Sequence, residues 1–137
     1  MLILEKEKSI FTKLKDILEI ENYKFYRYKI PFCLLIIECR EKNCLHLIKA
    51  HIRKTDTSIK LNKNLYGIIF RYIDIKNGGH KAAENLIHYL EKNITTTVYG
   101  GLSCSDENMG NIINRALFAL KKAKNKNFSN IEDDYLF

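Results

Sequence analysis

No apolar run in this 137-residue chain approaches the roughly 20 residues that a membrane-crossing helix requires, the longest being the short segment 31–37. A soluble protein with no membrane partner is expected. The four cysteines, Cys33, Cys39, Cys44 and Cys104, contain no CxxC pair and no ligand-like Cys/His spacing, and no secretory segment precedes them. Reduced thiols in a cytoplasmic protein are the expectation, with Cys33 and Cys39 filling core space as small hydrophobes. His46, His51, His80 and His88 supply no HxxxH pair on one helix, so neither a metal site nor a cofactor is expected. Internal repeats and long linkers are missing as well, which leaves one globular domain.

What is present suits such a domain. Hydrophobic residues make up 46% of the chain, enough to bury a core without metal or disulfide staples. The formal charge of +7 comes from lysines spread along the sequence and mixed with glutamates, the pattern of a solvated surface. Lys121, Lys122, Lys124 and Lys126 form the densest basic cluster, but they lack the interleaved aromatics of a nucleic-acid reader, and nucleic acid is set aside as a partner.

Apolar spacing predicts the elements. Ile10, Phe11, Leu14, Ile17 and Leu18 mark an amphipathic first helix with Ser9 as the N-cap candidate, followed by an aromatic connector over 23–29. The continuous run Phe32, Cys33, Leu34, Leu35, Ile36, Ile37 suits a central strand covered on both faces. Leu45, Leu47, Ile48 and Ile52 suggest a short helix, and residues 59–61 and 66–72 a hairpin around Asn62, Lys63 and Asn64. Gly78 and Gly79 precede a helix through Ala82, Ala83, Leu86, Ile87 and Leu90; the β-branched stretch 94–99 reads as a strand ended by Gly100 and Gly101. Met109, Ile112, Ile113, Ala116, Leu117 and Leu120 stripe a last helix, after which a Lys/Asn-rich stretch leads to a loosely held tail. The divisions expected are an N-terminal helix and connector over 1–31, a core over 32–127 and a tail over 128–137. The class is α+β, a mixed β-sheet flanked by α-helices.

The last helix, with Ala119-Leu120 and Ala123-Lys124, resembles that of the GGDEF (diguanylate cyclase-like) family, which commonly reads LLxxADxALYxAK. Residues 94–101 are similar to the family's xTxSxG strand and residues 32–38 to its FSLLLIDID strand. The resemblance runs from Ile10 onward and implies a ferredoxin-like βαββαβ core. It also exposes losses. Asn62, Lys63, Asn64, Leu65 and Tyr66 stand where the family has Gly-Gly-Asp/Glu-Glu-Phe, so only the terminal aromatic survives. Condensing GTP needs carboxylates to hold Mg²⁺ against triphosphate oxygens and glycines to admit the nucleotide; Asn64 is neutral and Leu65 cannot ligate. Glu38 retains one metal position, Arg40 stands where a second acid often follows, and the guanine-binding segment is shortened to residues 39–44. The resemblance therefore implies a degenerate domain that is not an enzyme.

One ligand signal remains. Arg53-Lys54-Thr55-Asp56 matches the RxxD of the family's inhibitory site for cyclic di-GMP. An arginine fork can donate to guanine O6 and N7, and a carboxylate can accept from guanine N1 and N2. Lys81 is the nearby cation for a phosphate, with Asn85 beside it and no arginine in that helix. The expected function is that of a catalytically inactive bacterial signalling effector that binds cyclic di-GMP, whose two guanines could also join two copies as a homodimer. The alternative is a ligand-free interaction domain presenting Tyr23, Phe25, Tyr26 and Tyr28, or Tyr135, Leu136 and Phe137, to an unidentified protein partner.

Overall fold

A computed structural model describes residues 5–106 and 111–133. The order is α1 (Glu5–Tyr28), β1 (Phe32–Glu38), α2 (Cys44–His51), β2 (Thr57–Lys60), β3 (Leu65–Arg71), α3 (His80–Asn93), β4 (Tyr99–Cys104), α4 (Ile112–Lys124) and β5 (Asn130–Asp133). The five strands form one sheet in the order β2-β3-β1-β4-β5, antiparallel apart from the parallel β4–β5 pair. From β1 to β4 the chain follows the βαββαβ path of a ferredoxin-like core, as expected, with α1 before it and α4 and β5 after it. No helix among the described residues is long and apolar enough to cross a membrane.

Every residue of β1 is buried, which is why its sequence shows no alternation. Cys33, Leu35 and Ile37 point into a cluster with Ile48 of α2 and Ala83, Leu86 and Leu90 of α3. Phe32, Leu34 and Ile36 point the other way, against Ile10, Leu14 and Leu18 of α1 and Ala116 and Leu120 of α4. Two helices therefore cover each face of the sheet.

Several expectations are corrected. The aromatic connector over 23–29 is mostly helix: the buried positions Ile10, Leu14, Leu18, Glu21 and Phe25 recur every three or four residues, so one stripe carries α1 through to Tyr28. Ser9 consequently lies inside α1 rather than at its start. The strand expected at 94–99 runs instead over Tyr99–Cys104, with Gly100 and Gly101 inside it. The reason is close approach: a Cβ on Gly101 would lie 2.2 Å from the Ala116 carbonyl oxygen and 2.3 Å from the Leu120 nitrogen of α4. The tail is not loose over Asn130–Asp133, where β5 pairs with β4, Lys122 Nζ donates to the Asp133 carbonyl (2.9 Å) and Lys126 pairs with Glu132. Met109, Tyr135, Leu136 and Phe137 lie outside the described residues.

Cys33 and Cys39 are buried, as expected, and so are Cys44 and Cys104, but all four are paired rather than reduced. Cys33 on β1 faces Cys104 on β4 in register, Cys39 and Cys44 meet across the β1–α2 turn, and both pairs are disulfides. Sequence spacing carries no trace of a cross-strand neighbour 71 residues away.

Gly101→Ala is expected to destabilise the fold by about 3 kcal/mol or more, because the added methyl meets α4 backbone that cannot yield. Gly67→Ala, whose methyl would meet only the side-chain ends of Leu14 (3.3 Å) and Leu61 (3.4 Å), should change stability by less than about 1 kcal/mol. Urea unfolding of both variants checks the contrast.

Candidate functional site

Asn62, Lys63 and Asn64 form the β2–β3 turn, and Leu65 and Tyr66 open β3. Asn62 Oδ1 accepts the backbone N–H groups of Asn64 (3.1 Å) and Leu65 (3.0 Å), so this side chain is spent on shaping the turn. Lys63 is exposed at the tip, and the Asn64 carbonyl accepts the Cys39 N–H at 2.9 Å. Tyr66 is buried in the cluster beneath α3, and burial raises its phenol pKa. It is a core residue.

Beside this turn opens a cavity of about 590 Å³, bounded by Asn62, Asn64 and Leu65 on one side and by Lys121, Lys124 and Asn125 at the end of α4 on the other. Glu38, at the end of β1, is its only acidic lining residue among the described residues. Its carboxylate pairs with Lys124 Nζ (2.8 Å) and Arg40 Nη2 (3.3 Å). Two cations thus flank this carboxylate. No group of three His, Cys, Asp or Glu side chains suited to a metal occurs among the described residues.

Arg53 and Asp56 come together, in the turn after α2 rather than on the helix. The Asp56 N–H donates to the Arg53 carbonyl at 3.0 Å, closing a tight turn. Asp56 Oδ2 accepts the Arg53 backbone N–H and Nε, both at 3.0 Å, while Oδ1 accepts Arg53 Nη2 (2.8 Å) and the Arg71 N–H (3.2 Å). Four donors therefore occupy a carboxylate whose side chain is 1% exposed. The Arg53 side chain is 48% exposed, and its Nη2 also donates to the Arg71 carbonyl at 2.6 Å. Hydrogen bonding to Asp56 raises the Arg53 pKa further, so the fork stays charged.

Arg53 and Asp56 border a cavity of about 180 Å³ walled by Phe70, Ile73 and Ala82, with His51 and Asn85 at its sides. His51 stacks on Tyr89 with ring centroids 4.7 Å apart. Lys81 is exposed and does not line this cavity, but it lies one helical turn before Asn85 on the same side of α3. Sequence reasoning named Arg53, Asp56, Lys81 and Asn85 here. It missed His51, Phe70 and above all Arg71, which carries no motif signal.

No family model matches the chain, and no curated protein matches it. Solved structures do. The GGDEF domain of DgcB from Caulobacter crescentus, in complex with c-di-GMP, superposes with a TM-score of 0.78 at 10% identity over 90% of this chain and 89% of that one. The active GGEEF domain of a diguanylate cyclase from Vibrio cholerae gives 0.77 at 15% identity over 92% and 97%, and the FimX GGDEF domain from Pseudomonas aeruginosa 0.76 at 13% identity over 86% and 90%. At these identities the likeness shows a GGDEF-like fold.

Because Asp56 is a buried carboxylate that accepts backbone N–H groups from two stretches of chain, whereas Arg53 is half-exposed, Asp56→Ala should lower stability by about 2 kcal/mol. Arg53→Ala should lower it by about 1 kcal/mol or less. Chemical denaturation distinguishes them.

Proposed function

We propose that this chain is a GGDEF-fold module without diguanylate cyclase activity that binds cyclic di-GMP through the turn carrying Arg53 and Asp56, acting as a signalling effector. The observation that carries this reading is the half-exposed Arg53 fork, braced by Asp56 and the Arg71 carbonyl at the edge of a small cavity. A fixed guanidinium is suited to the O6 and N7 edge of guanine, since little of its freedom remains to be lost on binding. Asn85 offers an amide at the cavity, and Lys81 a cation for a phosphate on the same side of α3. Asp56 acts here mainly by orienting the fork, because its own acceptor sites are occupied. The GGDEF domain of DgcB carries c-di-GMP on a similar fold, which agrees with this ligand class.

The inactive half of the proposal rests on Glu38. A single carboxylate held by Lys124 and Arg40, opposite two asparagines and a leucine, gives little purchase for a metal–triphosphate complex.

A second reading, a ligand-free protein-interaction domain, draws on two observations. Asp56 is saturated by internal donors, and Tyr23, Tyr26 and Tyr28 stand exposed along the last turns of α1 while Phe25 is buried.

Titration with cyclic di-GMP by calorimetry should give saturable binding that GTP does not displace and that Arg53→Ala weakens at least tenfold. Absence of binding at high micromolar ligand would give the interaction reading precedence. Incubation with GTP and Mg²⁺ or Mn²⁺ should yield no cyclic di-GMP by chromatography.

A further inference from the structure

Arg71, the last residue of β3, joins two separate parts of the chain, the stretch 53–57 and α1. Its backbone N–H donates to Asp56 Oδ1 (3.2 Å) and its carbonyl accepts Arg53 Nη2 (2.6 Å). Its Nη1 donates to the Thr55 carbonyl (2.8 Å) and Thr57 Oγ1 (2.7 Å), and its Nε pairs with Glu21 Oε2 of α1 at 3.1 Å. The Glu21 side chain is only 3% exposed, and its other cationic neighbour, Lys24 at 3.7 Å, is longer and more open to solvent. The next residue, Tyr72, has a φ of 63° and donates its N–H to the Pro31 carbonyl at 2.9 Å, which fastens the end of β3 to the joint between α1 and β1.

We infer that Arg71 makes the seating of the second half of α1 and the conformation of the Arg53–Asp56 turn one coupled equilibrium. A buried carboxylate is stable only while its partner stays in place. Glu21 therefore depends on the Arg71 guanidinium, whose other hydrogen bonds end on Thr55 and Thr57, on either side of Asp56. If the turn loses its shape, Arg71 loses two anchors and Glu21 its brace; if α1 lifts, the Arg53 fork loses the strand end that holds it. Coupling of this kind is reciprocal. Where the Arg53 turn takes cyclic di-GMP, as proposed above, α1 becomes the element through which occupancy is transmitted.

The inference rests on the proposed ligand only for that last step, and its first test uses none. Hydrogen exchange followed residue by residue compares the intact chain with Asp56→Asn and with Arg71→Lys. Lysine at 71 can face Glu21 but cannot reach Thr55 and Thr57 with a fork. Exchange of the amides of residues 21–28 is expected to quicken roughly fivefold or more in both variants, while the amides of α3 and β1 keep their rates. Unchanged exchange over 21–28 in folded Arg71→Lys overturns the coupling, even if Asp56→Asn proves too unstable to compare.

Glu21→Gln supplies the converse measurement. It should weaken cyclic di-GMP binding roughly fivefold although it touches no ligand, with Lys24→Ala leaving affinity unchanged. Normal affinity in Glu21→Gln would sink the coupling while sparing the binding proposal. Absence of binding in the parent chain would sink the binding proposal, and the exchange data would still decide the coupling.

Discussion

The fold depends on a strand that is buried on both faces. β1 lies in the middle of the sheet, paired on both sides, with all seven residues buried. Alternate side chains must then find separate apolar partners, and helices have to cover both faces. α2 and α3 serve one face, α1 and α4 the other. Fully burying an aliphatic side chain contributes about 2 kcal/mol, so this strand and its neighbours dominate the favourable side of folding. The same demand brings α4 so close to β4 that only glycine fits at position 101.

That arrangement sets three loop regions with different chemistry around one sheet. The β2–β3 turn and the end of α4 enclose the larger cavity, where lysines and asparagines surround one neutralised glutamate. The turn after α2 carries an ion pair that is internally complete yet presents half of its arginine to solvent. The end of α1 displays tyrosines outward while Glu21 and Phe25 face inward. Electrostatics separates the first two. In the cavity a lone acid is matched by two cations, whereas at the turn an arginine braced by a buried carboxylate keeps its charge and direction.

Much of this was legible in residue order. Continuous apolarity marked β1, the Asn-Lys-Asn segment marked the hairpin turn, and the stripes of α3 and α4 were visible at helical spacing. The nearness of Arg53 and Asp56 was equally plain, and the two side chains do pair. Misreadings arose where a local signal was outweighed by a distant neighbour. Gly100 and Gly101 looked like a strand end because glycine commonly is one; the backbone of α4 makes them strand interior. The aromatic segment 23–29 looked like a connector because its helical stripe narrows to Glu21 and Phe25, and a buried glutamate does not read as a core position.

The sequence by itself determined the central strand, the hairpin turn, the apolar faces of α3 and α4, and which side chains are available for chemistry, because each follows from the short-range periodicity and type of neighbouring residues. Only the tertiary structure decided what those side chains meet. Asp56 could have faced a ligand, but is enclosed by Arg53 and the backbone of Arg71, a residue 15 positions away. Glu21 could have been a surface charge on α1, yet it pairs with that same Arg71. Cys33 could have remained a thiol, but lies in register with Cys104. Such contacts arise from strand register and helix seating, and these are fixed by packing summed over the whole chain.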